Sequence, residues 1–172
     1  PAALGTATAP RAAAAGQSSD RLIKRLQAAS GEILNVSDAM QAASRAFIQG
    51  FDESQIVRVM EAARQLSKIA GKDVVEAFND ITVAVTTGMT RQLKTTYGVV
   101  IDAEQAVKDF AAANGRAAED VTELGKAQVI LAAFFTRSAP QVRALPEAHR
   151  SESEEVQRLR NNLEQLKEDL GK

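Results

Sequence analysis

The sequence has no cysteine, no tryptophan and a single histidine, His149. Without thiols, disulfide frameworks, thiolate nucleophiles, iron–sulfur clusters and Cys/His zinc sites are excluded. A Ser-His-Asp triad would have one imidazole to draw on. That imidazole lies between Ala148 and Arg150, just after Pro146. Zinc takes three or four ligands and a lone histidine offers one, so His149 is read as a solvated linker residue. Charge of one sign is also missing. The 21 Lys and Arg residues meet 22 Asp and Glu residues, for a net charge of −1. The basic residues near the start (Arg11, Arg21, Lys24 and Arg25) are too sparse for nucleic-acid readout. Long apolar runs are absent as well. The longest, Val129 to Phe135, falls far short of the roughly 18–20 residues that span a bilayer.

Glycines fall singly at expected helix ends, and no G-x-x-x-x-G-K-[ST] loop is present to cradle phosphate. The acid pairs Asp102/Glu104 and Glu119/Asp120 stand at expected helix starts. A favourable interaction with the helix dipole explains them there without acid–base chemistry. Arg91, Lys94, Thr95, Thr96 and Tyr97 form a small basic, hydroxyl-rich patch that reads as an exposed loop. No catalytic, cofactor-binding or metal site is expected.

What remains is dominated by alanine, with few aromatics, and fits an all-α protein with thin helix contacts. Leu22, Leu26, Ala29, Ile33, Val36, Met40, Ala43 and Phe47 are spaced 4, 3, 4, 3, 4, 3, 4. That spacing predicts one long N-terminal helix, kinked near Ser30-Gly31 and stopped by Gly50. Asp52-Glu53-Ser54-Gln55 is a capping pattern, and the helix after it should bury Ile56, Val59 or Met60, Ala63, Leu66 and Ala70. Asp73 opens the next, with Val74, Phe78, Ile81 and Val85 inward. Only Gly71, Lys72 and Asp73 join the two, so they should pack antiparallel.

Thr95 to Ile101 is β-branched and aromatic, and reads as extended, with Val99 and Ile101 as its anchors. Asp102 caps a helix carrying Val107, Phe110 and Ala111. Asp120 caps another carrying Val121, Leu124, Gln128, Leu131 and Phe135.

The expected organisation is a flexible Ala-rich tail over 1–19, a helical domain over 20–137, a linker over 138–150 and a coiled-coil-like helix over 151–172. The chain starts at Pro1 rather than Met, as expected of an excised or processed segment. In the last segment Val156, Leu159, Leu163, Leu166 and Leu170 repeat the heptad spacing after a Ser151-x-x-Glu154 capping box. A helix of about three heptads is marginal alone. Its stripe needs a partner, either another copy or the rest of the chain, and self-association is the expectation. The candidate interaction residues are therefore Leu22, Leu26, Ile33, Met40 and Phe47 on one seam, and Val156, Leu159, Leu163, Leu166 and Leu170 on the other.

The run from Arg45 to Phe135 resembles a helical region of phage tail tape measure proteins. The likeness opens at Ala43-Ser44-Arg45-Ala46-Phe47-Ile48-Gln49-Gly50-Phe51-Asp52. It continues through the Ala-rich helix Glu61 to Ala70, closed by Gly71-Lys72-Asp73, and through Ala77-Phe78-Asn79-Asp80-Ile81-Thr82. The most telling part is Arg91-Gln92-Leu93-Lys94-Thr95-Thr96-Tyr97-Gly98-Val99-Val100-Ile101-Asp102, similar to the family's Leu-Lys, short gap, Gly, apolar, Asp element. Asp120-Val121-Thr122-Glu123 and Ala127 to Ala133 follow in the family's order. The resemblance implies a structural role in tail-length determination and tail assembly. It also implies contacts with tail tube protein and assembly chaperones, and residence in the tail tube lumen of the virion or, during assembly, in the host cytoplasm. A helical protein–protein interaction adaptor of cellular origin is the other reading of the same apolar seams.

Overall fold

In the computed structural model, which describes residues 8–144 with side chains from 18 to 143, the chain is all-helical. The helices are α1 (Thr8–Ala29), α2 (Val36–Ile48), α3 (Glu53–Ala70), α4 (Val74–Thr87), α5 (Arg91–Tyr97), α6 (Ala103–Ala113) and α7 (Glu123–Ala144), with one 3-10 turn at Ala118–Asp120. No strand occurs among the described residues. The expected helix over 151–172 lies outside them.

The α3–α4 hairpin is the centre. Asp52 accepts a hydrogen bond from Gln55 N at 2.8 Å while the Gln55 side chain accepts from Asp52 N at 3.0 Å, completing the reciprocal cap. Gly71 ends α3 in the left-handed region, and Asp73 caps α4 through Val75 N and Glu76 N. Ile56, Val59, Met60, Ala63 and Leu66 of α3 are fully buried, as are Phe78, Ile81 and Val85 of α4. α1 packs on α3, α7 on both hairpin helices, α2 on α1 and α4, and α6 on α7.

The single long N-terminal helix is not formed. The chain leaves α1 after Ala29 and restarts at Val36. Gly31 and Glu32 are both left-handed, at φ of 74° and 65°. Side-chain hydrogen bonds stitch the break. The buried Ser30 hydroxyl donates to Gln27 O (2.8 Å) and accepts from Leu34 N (3.2 Å), and Gln27 Nε2 donates to Leu34 O (3.1 Å). Asn35 then caps α2 by accepting from Asp38 N. Serine, glycine and asparagine thus supply local bonds that compete with a continuous helix.

Three further expectations are corrected. α1 begins at Thr8, inside the segment expected to be a flexible tail; its Arg11–Ala15 stretch has strong helix propensity and Pro10 sits in the first turn, where its missing N–H costs little. α7 continues through Pro140 to Ala144, into the expected linker. Contacts hold it there, since Ser138 is buried and Gln141 Nε2 donates to Gly98 O at 3.2 Å. The Thr95–Ile101 stretch is helical to Tyr97, because Leu93 and Tyr97, one turn apart, are both buried. The remainder is a loop anchored by buried Val99 and Ile101 and by Thr90 Oγ1 donating to Ile101 O at 2.8 Å.

Candidate functional site

α2 is inverted relative to its sequence pattern. Its core face consists of Ala39, Ala42, Ala43 and Ala46, all buried. Its large apolar residues stand outside: Val36 is 40% exposed, Met40 52%, Phe47 48% and Ile48 87%. At 100° per residue, Val36, Met40 and Phe47 fall within about 40° of one another, and so form one ridge along the helix. The small alanines allow α2 to approach α1 and α4 closely. The ridge is left at the rim of that contact. Ile69, Val83, Met89, Val100, Phe110 and Leu124 are also exposed, but each on a different part of the surface or element. Single exposed apolar residues are ordinary; a row on one helix is not.

The predicted seam residues therefore divide. Leu22, Leu26 and Ile33 are buried in the main core, so they hold the domain together and do not face a partner. Met40 and Phe47 are at the surface. Val156, Leu159, Leu163, Leu166 and Leu170 lie outside the described residues, as does His149. Val36, part of the heptad spacing but not among the candidate interaction residues, completes the row, and Ile48 is exposed about 100° round the helix from Phe47. The signal for Ile48 is the Phe47-Ile48 pair, two large apolar neighbours that one buried stripe cannot both accommodate.

A cleft of about 440 Å³ opens between the end of α4, α6 and the start of α7. Its floor is Val107 and Ile130. Its rim carries Lys108 paired with Glu104 (2.5 Å) and Lys126 paired with Glu123 (2.8 Å). The bond to Glu104 raises the Lys108 pKa, keeping the ammonium charged. A second cluster ties α5 to α4. The Tyr97 hydroxyl donates to Asp80 Oδ2 at 2.8 Å, and Lys72 reaches both Glu76 (2.5 Å) and Asp80 (3.3 Å). Burial, then the bond to Asp80, pushes the Tyr97 phenol well above its ordinary range. The bond to Glu76 raises Lys72 most, burial opposes it, and the bond to Asp80 adds a further rise. The basic patch expected as a loop at Arg91 to Tyr97 lies on α5: Arg91, Lys94 and Thr95 are exposed, Tyr97 is buried, and the Thr95 hydroxyl bonds to Arg91 O and Gln92 O of its own helix.

Among the described residues, no three His, Cys, Asp or Glu side chains converge to hold a metal ion, and no helix is long and apolar enough to cross a membrane. No protein family, curated protein or solved structure matches this chain.

Proposed function

We propose that this chain is a structural and assembly element, a segment of a phage tail tape measure protein that works through apolar helix contacts and carries no catalytic centre. The observation that carries the reading is the α2 ridge. A helix that buries alanines and presents valine, methionine and phenylalanine in one row is built to meet another apolar surface. The quoted resemblance supplies the partner class, since it runs through α2 itself at Arg45-Ala46-Phe47-Ile48. Its most telling stretch, Arg91 to Asp102, makes α5, the anchored loop and the cap of α6. Gly98 there turns left-handed at φ 69°, a conformation that glycine adopts without strain. The partners proposed are the tail tube protein and tail assembly chaperones.

The test is co-expression of the full chain with the tube protein and chaperones encoded beside its gene. Co-purification is expected, weakened at least tenfold when Met40 and Phe47 are both replaced by Glu. Absence of tail genes beside this one, no complex at micromolar concentration, or equal retention of the double variant would each overturn the proposal.

A further inference from the structure

We infer that the α2 ridge is covered by the chain's own C-terminal segment, with the Val156–Leu170 stripe laid along Val36, Met40 and Phe47. The helix directions place the two together. Along α3 and α7, Gln55 pairs with Gln128, Arg58 stacks over the Phe135 ring at 4.0 Å, and Ala62 shares a small cleft with Val142. The two helices therefore run parallel. α2 runs the other way. Its far end meets the start of α7, where Gln128 Nε2 donates to Gly50 O at 3.3 Å and a Cβ on Gly50 would overlap Leu124 Cδ1. The chain leaving α7 at Ala144 thus departs at the Val36 end of α2.

Distance and length agree with this placement. α3 and α4 each touch both α2 and α7, so one helix separates them. That is about two interaxial steps, or roughly 16–20 Å. Residues 145–150, extended, reach roughly 20 Å. If helical, Val156 to Leu170 spans about 21 Å, close to the roughly 20 Å length of α2. A segment arriving at Val36 and continuing along the helix would lie parallel to α2, with Val156 near Val36, Leu159 near Met40 and Leu166 near Phe47.

A second copy is the competing occupant. The ridge is poorly matched to it, because three side chains already about half covered fall well short of the roughly 800 Å² per partner of a stable interface. A tethered segment needs less area, because its effective concentration is in the millimolar range.

The absence of native cysteine makes the test direct. The full chain carrying Met40→Cys and Leu159→Cys is oxidised at low micromolar concentration, beside an out-of-register control carrying Phe47→Cys and Leu159→Cys. The first pair should close within one chain at least fivefold more completely than the control, with a yield independent of protein concentration. Adding Leu163→Glu should reduce that yield to the control level. Disulfide-linked dimers whose yield rises with concentration would place a second copy on the ridge and overturn the inference. No cross-link, equal closure of both pairs, or indifference to Leu163→Glu would overturn it too. Both claims concern the same ridge, so the tethered segment must be displaced from Val36, Met40 and Phe47 when a tail partner binds there; intramolecular closure is measured on the protein alone, and co-purification tests the other claim.

Discussion

Leu22, Leu26 and Ile33 share one heptad spacing with Val36, Met40 and Phe47, yet the first three are buried and the last three stand at the surface. Between Leu26 and Val36 lies the Ser30–Asn35 break, with Ile33 inside it. A continuous helix would carry both sets on one stripe. A left-handed turn resets the rotation, and α2 then packs by its alanines. Spacing alone reports that residues share a face; it does not say which way the face points once a break intervenes. Leu22, Leu26 and Ile33 contribute stability, and the α2 set contributes surface.

The sharpest way to separate the two is to truncate each. Leu26 is fully buried, and Leu26→Ala should cost about 2–5 kcal/mol of unfolding free energy through lost burial and a residual cavity. Chemical denaturation measures it. A loss under 1 kcal/mol would mean that α1 is not integral to the core.

The next largest effect lies outside the stripe and provides its polar reference. Tyr97→Phe removes the bond to Asp80 and should cost about 1.5–3 kcal/mol near neutral pH, the scale of a hydrogen bond to a charged group. The folded phenol titrates above its unfolded value, so its contribution is complete below the unfolded value near pH 10 and is lost as pH rises beyond it. Lys72, also raised, adds a loss of the same sign in both proteins. The gap in stability between wild type and Tyr97→Phe should therefore narrow above about pH 10. A gap unchanged between pH 8 and 11 would refute the buried pairing.

Gly31→Ala addresses the break itself. A side chain at φ 74° is strained by about 1–2 kcal/mol. Its Cβ would also lie 2.5 Å from Arg64 Nε, so the guanidinium must shift. Destabilisation with α1 and α2 still separate is expected, read by denaturation and by amide exchange at Ser30–Asn35. A stabilised variant would favour the continuous helix.

Much of the fold is legible in the sequence because its signals are local. Asp52, Asp73 and Asp102 each cap the helix that their spacing announces, and the inward residues of α3 and α4 follow a clean period. The failures arise where tertiary contacts outweigh local preference. Thr95-Thr96-Tyr97 is helical because Leu93 and Tyr97 bury together. α7 passes Pro140 because its last turns pack. That helix is capped at Thr122, whose hydroxyl accepts from Gly125 N, rather than at Asp120, and its inward set shifts to Ala127, Ile130, Leu131 and Phe134, leaving Leu124 exposed. The candidate site was half legible: Met40 and Phe47 were marked as interaction residues, but so were Leu22, Leu26 and Ile33 by the same rule. Distinguishing them required knowing that alanine, the least hydrophobic member of the pattern, would win the core side of α2.

The smallest expected effect tests that outcome most directly, because one chemical change can be made in both environments. Met40→Gln on α2 should alter global unfolding by no more than about 0.5 kcal/mol, as for surface changes generally. Met60→Gln on α3 removes a fully buried thioether and places an amide in the core, where an unsatisfied polar group alone costs about 1–3 kcal/mol. Amide exchange in α3 reports global opening in both variants, without interference from events at the α2 surface. If Met40→Gln lowers α3 protection as much as Met60→Gln does, the ridge belongs to the core, and the division of the seam into a stabilising half and a presented half is wrong.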